Sequence, residues 1–133
     1  MRKKVLDVGQ CSFDHASIAR QLQSAFGAVV RQADDWTEAL DRLQNEAFHL
    51  ILVNRKLDCD GGDGIRLICS LKQQREYAGI PTMLVSNYAE AQRAAVAAGA
   101  VPGFGKAELG SDRTLDLLRN WLADDDESPT KQE

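Results

Sequence analysis

No apolar run in this sequence approaches the roughly 20 residues that a membrane-spanning helix requires, so no such helix is expected. The basic start Arg2-Lys3-Lys4 runs into a short apolar stretch interrupted by Asp7, so it is not expected to act as a secretory signal. A cytoplasmic location is the expectation. Clustered basic charge is equally absent. The net charge of −4 lies in the tail, where Asp124, Asp125, Asp126, Glu127 and Glu133 face one base, Lys131. Fifteen acids and fifteen bases remain in the body, so this domain is not expected to bind nucleic acid. The three cysteines, Cys11, Cys59 and Cys69, make no CxxC pair, and His15 and His49 lack ligand partners at metal spacing. That argues against a zinc site or a disulfide framework. It leaves free thiols and two histidines at the core edge or surface.

What the chain does contain is a regular alternation. Its 133 residues are 44% hydrophobic, enough for one compact core. The expected domain covers residues 1–123, and the acidic segment 124–133 with Ser128-Pro129 reads as a disordered tail. Lys4 to Val8 is a strand pattern, followed by Ile18, Leu22 and Phe26 at helical spacing and a stop at Gly27. Ala28-Val29-Val30 is the next strand. Asp35 and Glu38 make a capping-box pattern before a helix striped by Trp36, Ala39, Leu40 and Leu43. Phe48 to Val53 is the most apolar stretch, as expected of a strand covered on both faces. A glycine-rich loop follows, then a helix carrying Ile65, Leu67, Ile68 and Leu71. Ile80 to Val85 forms the fourth strand, with Pro81 at its entry. Ala89 to Ala98 is an alanine-rich helix, Val101 to Phe104 a short fifth strand, and Ser111 caps a last helix bearing Leu115, Leu118 and Leu122.

Strands alternating with helices imply an α/β fold, a single parallel sheet with helices on both faces. The flavodoxin-like order 2-1-3-4-5 is the expected topology. In such folds ligand chemistry gathers at the carboxyl ends of the strands. Those ends are Gly9-Gln10-Cys11, Asn54-Arg55-Lys56, Ser86-Asn87 and Gly105-Lys106.

At these four places, over residues 3 to about 122, the chain resembles a response-regulator receiver domain of the CheY-like superfamily. Such domains carry an acidic pair after the first strand, an aspartate ending the third, Ser or Thr ending the fourth and Lys ending the fifth. Ser86 and Lys106 match the last two. The segment from Pro81 through Ser86 and Ala98-Gly99-Ala100 to Lys106 carries the strongest resemblance, and Leu50 to Asn54 resembles the phosphoacceptor strand. Asp63-Gly64-Ile65 resembles the opening of the family's third helix. Three carboxylates are nevertheless missing. Asn54 stands at the phosphoacceptor position, and Gly9 and Gln10 stand at the acidic pair. An amide is a poor nucleophile, and Mg²⁺ needs hard anionic oxygens. The resemblance therefore implies a degenerate pseudo-receiver, with no enzymatic activity, no cofactor and no metal. Ala107 replaces the usual cis proline after the lysine. Gly103 falls where the switch aromatic usually sits, with Phe104 one residue late.

Without a carboxylate at Asn54, Lys106 needs another counterion, and Asp7, facing the same side of its strand as Gly9, is the candidate. The loop Asp58-Cys59-Asp60-Gly61-Gly62-Asp63-Gly64 does not fit a calcium hand, since counting from Asp58 puts Gly62 fifth and Cys69 twelfth. It reads as a solvated turn. Cys11 with Ser17 fails the C-x5-R pattern of a phosphatase loop, and Gly9 to Ser12 is too poor in glycine and hydroxyls for a flavin loop.

Three functions stay open. The first is signalling through protein contacts, with a histidine kinase or output protein as partner, or as a homodimer. The family's surface for this is the fourth helix, fifth strand and fifth helix, where this chain offers Tyr88, alanines and Arg113. The second is phosphotransfer on a different acid, Asp58 or Asp60. The third is small-ligand sensing in a vacated pocket bounded by Asn54, Ser86, Lys106 and Gln10.

Overall fold

The computed structural model describes residues 2–123, so the acidic segment 124–133 expected to form a tail lies outside the described residues. Among the described residues five strands and five α-helices alternate. They are β1 (Lys4–Val8), α1 (Ser12–Phe26), β2 (Val29–Ala33), α2 (Trp36–Asn45) and β3 (Leu50–Asn54). Then follow α3 (Gly64–Gln73), β4 (Thr82–Val85), α4 (Ala89–Ala97), β5 (Val101–Phe104) and α5 (Asp112–Leu122), with a 3-10 turn at Lys106–Glu108. All neighbouring strands pair in parallel, in the order β2-β1-β3-β4-β5. This is the expected flavodoxin-like sheet.

The apolar stripes explain the layers. Leu6 and Val8 of β1 and Ile51 and Val53 of β3 point to one face, where Ala39 and Leu43 of α2, Leu67, Ile68 and Leu71 of α3, and Ala95 of α4 cover them. Val5, Leu50 and Leu52 point to the other face, against Ile18 and Leu22 of α1 and Leu118 and Leu122 of α5. β1, β3 and β4 are thus covered twice, which is why their sequences are mostly apolar, with Asp7 the buried exception in β1. β2 lies at an edge and is only partly buried. Arg31, Gln32 and Ala33 extend the strand three residues beyond the apolar Ala28-Val29-Val30 run.

Helix ends follow their caps. Asp35 Oδ1 accepts from Glu38 N at 2.9 Å, while Glu38 reaches back to the N–H of Asp34 rather than that of Asp35. Ser111 Oγ caps α5 through Thr114 N, and Asp63 Oδ1 caps α3 through Ile65 N. Because all strands run parallel, Gly9, Asn54, Ser86 and Lys106 gather at one edge of the sheet.

Candidate functional site: the carboxyl edge of the sheet

The β1 end is built by backbone demands. Gly9 has φ +83°, in the left-handed region, and a Cβ there would come within 2.3 Å of Leu57 Cδ2 and 3.2 Å of Leu57 Cα. The left-handed backbone and the contact with Leu57 together favour glycine at this position. Its carbonyl accepts two hydrogen bonds, from Asp58 N at 2.9 Å and from Asn54 Nδ2 at 3.1 Å.

Asn54 ends β3 half-buried, and its amide is committed as a donor. Besides Gly9 O, its Nδ2 reaches Lys56 O at 2.7 Å. Two carbonyl oxygens converging on one point favour either an N–H donor or a cation, and here the amide nitrogen fills the place. A carboxylate oxygen in the same position would face two lone-pair acceptors. The residues present do not fit Mg²⁺: Gly9, Gln10 and Asn54 supply no anionic oxygen. Among the described residues no group of three His, Cys, Asp or Glu side chains is placed to hold a metal.

Beneath this lies a buried polar group. Asp7 is fully buried, and its Oδ2 sits 2.8 Å from His15 Nδ1. Burial pushes the Asp7 carboxyl above its usual range, opposed by the bond and charge of His15 and more weakly by Gln10 and Lys106. Asp7 Oδ1 and both amide atoms of the buried Gln10 have no hydrogen-bond partner among the described residues.

The structure gives Lys106 a different counterion from Asp7. Lys106 Nζ pairs with Asp14 Oδ2 at 2.8 Å, and the ammonium holds the Asp14 carboxyl below its usual range. Asp7 is taken by His15, deeper in the sheet. Both Asp14 and His15 sit in the first turn of α1, one turn before Ile18 on the stripe that ends at Leu22. Titratable residues prolonging a buried stripe toward the strand ends were the signal available in the sequence. His15 thus has a specific partner rather than a plain edge position.

The β4–β5 end keeps its expected polar residues but rearranges their surroundings. Ser86 Oγ accepts from Tyr88 N at 3.2 Å, and Asn87 Oδ1 accepts from Ala107 N at 3.1 Å. Proline at 107 has no N–H to give to Asn87, so the alanine has a local role. No described peptide bond is cis. β5 slips against β4, pairing Met83 with Val101 but Val85 with Phe104. In the gap, Gln92 of α4 donates to Leu84 O at 2.9 Å and Ser86 O at 3.1 Å and accepts from Gly103 N at 3.1 Å. A Cβ on Gly103 would come within 2.3 Å of Leu84 O, so an aromatic has no place there. Phe104 is buried among residues of α1 and α5. Nothing in the sequence pattern singled out Gln92.

A cavity of about 510 Å³ opens between the ends of β3, β4 and β5, lined by Asn54, Arg55, Lys56, Ser86, Asn87 and Lys106 among others. Gln10, expected in such a pocket, lies outside its lining. Asp58 and Asp60 are exposed and also outside it, and Asp60 Oδ1 serves the loop by accepting from Gly62 N at 2.8 Å. Cys11 caps α1, its Sγ accepting from Asp14 N at 3.4 Å, and Cys59 Sγ donates to Asp34 O.

No family model matches the chain, and no curated protein matches it. Solved structures do. NtrX from Brucella abortus superposes with a TM-score of 0.77 at 24% identity, covering 92% of this chain and 27% of that one. The chemotaxis response regulator CheY4 of Vibrio cholerae gives 0.71 at 24% identity, covering 92% of this chain and all of that one. A response regulator from Thermotoga maritima gives 0.74 at 22% identity, with 92% and 98% covered. The chain spans about a quarter of NtrX but the full length of CheY4. At these identities the likeness speaks for architecture, and the chain has the flavodoxin-like fold of CheY-type receiver domains.

Proposed function

We propose that this chain is a receiver-type signalling domain of the two-component kind that takes no phosphate at Asn54, needs no divalent metal, and acts in the cytoplasm through protein contacts. One observation carries the reading: the Asn54 amide is bonded to two backbone carbonyls, at 3.1 and 2.7 Å, where a phosphoacceptor would need a free carboxylate. The surroundings support it. Gly9 accepts no side chain, Gln10 is neutral and buried, and the counterion of Lys106 is on α1 instead of β3.

The contact surface proposed is the α4–β5–α5 face, toward a kinase, an output protein or a second copy. Tyr88 and Val96 are its exposed apolar groups, at 69% and 44% exposure. Beside Val96 runs a groove of about 310 Å³ whose lining also includes Gln92, Pro102 and Arg113. Exposed apolar side chains beside an arginine are suited to a protein partner. Among the described residues no helix is long and apolar enough to cross a membrane.

The test is to incubate the chain with acetyl phosphate and Mg²⁺ and measure its intact mass. The reading expects no added phosphoryl group. A stoichiometric, Mg²⁺-dependent adduct mapping to Asp58 or Asp60 would replace it with the phosphotransfer alternative.

A further inference from the structure

Asp7 puts a carboxyl group inside a doubly covered strand. It is fully buried on the face of β1 that meets α1 and α5, and its neighbours in the sheet are Gln32 of β2 and Leu52 of β3. Its Oδ2 is bonded to His15 Nδ1 at 2.8 Å, but its Oδ1 meets no hydrogen-bond partner among the described residues. Gln10, buried just past the strand end, leaves both amide atoms unmet in the same way. Buried polar atoms without partners are costly, and an ionised carboxyl among them costs most. A proton on Oδ1 relieves this. The carboxyl becomes neutral and gains a donor, and the Gln10 amide, which already acts on the Asp7 carboxyl, offers its oxygen as the acceptor.

The charged groups around Asp7 come from two places. The first turn of α1 supplies Asp14 and His15. The turn after β5 supplies Lys106, whose ammonium is bonded to Asp14 at 2.8 Å and also attracts the Asp7 carboxyl. The buried residues of α5, Thr114, Leu118 and Leu122, are uncharged, as are Gln32 and Leu52 beside Asp7 in the sheet. Asp14 is partly exposed and Asp7 is not. Lys106 therefore feels an outer carboxylate that is always available and an inner carboxyl whose charge depends on its proton.

We propose that Asp7 is a proton-operated switch: protonated, it bonds to Gln10 and leaves Lys106 with Asp14, and ionised, it draws Lys106 off Asp14 toward β1. The proton passes to solvent water, and no other covalent bond is made or broken. Burial holds the carboxyl above its usual range, so the protonated form persists to higher pH than in an exposed aspartate, and the switch runs as pH rises. Lys106 lines the cavity at the ends of β3, β4 and β5, so its two positions give the rim two distributions of charge. The carboxyl edge of the sheet thereby responds to pH with no covalent modification, whichever partner the α4–β5–α5 face meets.

The test is an NMR titration of the full chain from about pH 5 to about pH 9, following the side-chain carboxyl carbons of Asp7 and Asp14 and the side-chain nitrogen of Lys106. The Asp7 carbon is expected to titrate within this range, and Lys106 and Asp14 to shift with the same midpoint. Asp7→Asn is expected to abolish the step at Lys106 and keep Lys106 on Asp14 throughout. His15→Asn retains an amide N–H for Asp7 without a titrating ring, and is expected to keep the step. An Asp7 carboxyl that stays in one form across the range would overturn the proposal, as would its titration with no response at Lys106. A step that survives Asp7→Asn, or one lost in His15→Asn, would assign the proton to another group and overturn it equally.

Discussion

The β1 end and the β3–β5 end share one edge of one sheet, yet they are built in opposite ways. At β1 the chain is closed: Gly9 is packed against Leu57, Asp7 is fully buried against His15, and Gln10 is buried with its amide unpartnered. At β3–β5 it is open, with cations and hydroxyl or amide donors around a cavity. A metal and phosphate site needs both ends to contribute anionic oxygens to a common point. Here the β1 end buries its polar groups inside the protein, and the β3 end presents an N–H donor. The two halves do not present anionic oxygens to a common point.

If the β1 end is held by backbone geometry, the smallest side chain there should be the most damaging change. Gly9→Ala is expected to lower the unfolding free energy by about 2–4 kcal/mol, combining a left-handed backbone with a clash on Leu57. Urea unfolding at pH 7 measures it. A loss below about 0.5 kcal/mol would mean that the β1 end is as open as its neighbour.

A smaller effect is expected where the two ends meet. Asn54→Asp removes the donor shared by Gly9 O and Lys56 O and is expected to cost about 1–2 kcal/mol at pH 7, measured by the same urea unfolding. The deficit should shrink in acid, because a protonated carboxyl regains a donor. If Asn54→Asp instead raises stability at neutral pH, Lys106 outweighs the two carbonyls.

The smallest change concerns Asp7. Its carboxyl is raised above the unfolded value by burial, so the stability tied to its proton is present at low pH and lost as pH rises through the raised pKa. Asp7→Asn lacks that loss and is expected to be more stable than the natural chain by about 1 kcal/mol at pH 8, with the gap narrowing toward pH 5. Denaturation curves at the two pH values decide it. A variant less stable at pH 8 would mean that the Asp7–His15 pair, not burial, dominates.

Much of this was legible before any coordinates. Apolar runs, broken in β1 only by Asp7, marked β1, β3 and β4, and the stripes of α2, α3 and α5 marked their buried faces, because in a doubly covered sheet burial is written directly in hydropathy. The end of β2 was hidden since an edge strand keeps polar residues such as Arg31 and Gln32. In the site, the strand ends marked the stretches that hold Asn54, Ser86 and Lys106, and the resemblance to receiver domains singled these three out. Asp14 was missed as the partner of Lys106 because 92 residues separate them, and only the phase of α1 joins them. Gln92 carries no pattern of its own, and its three carbonyl-facing contacts arise from the slip between β4 and β5. Why Gly9 is glycine could not be read either, since the reason is Leu57, across the loop.

The most direct measurement follows the side-chain amide of Asn54 by NMR while beryllofluoride and Mg²⁺ are added. Two bonds to carbonyls predict slowly exchanging amide protons whose shifts, with those of Ser86 and Lys106, stay unchanged through the addition. Fast exchange at the start, or a saturable, Mg²⁺-dependent shift of all three residues, would contradict the account.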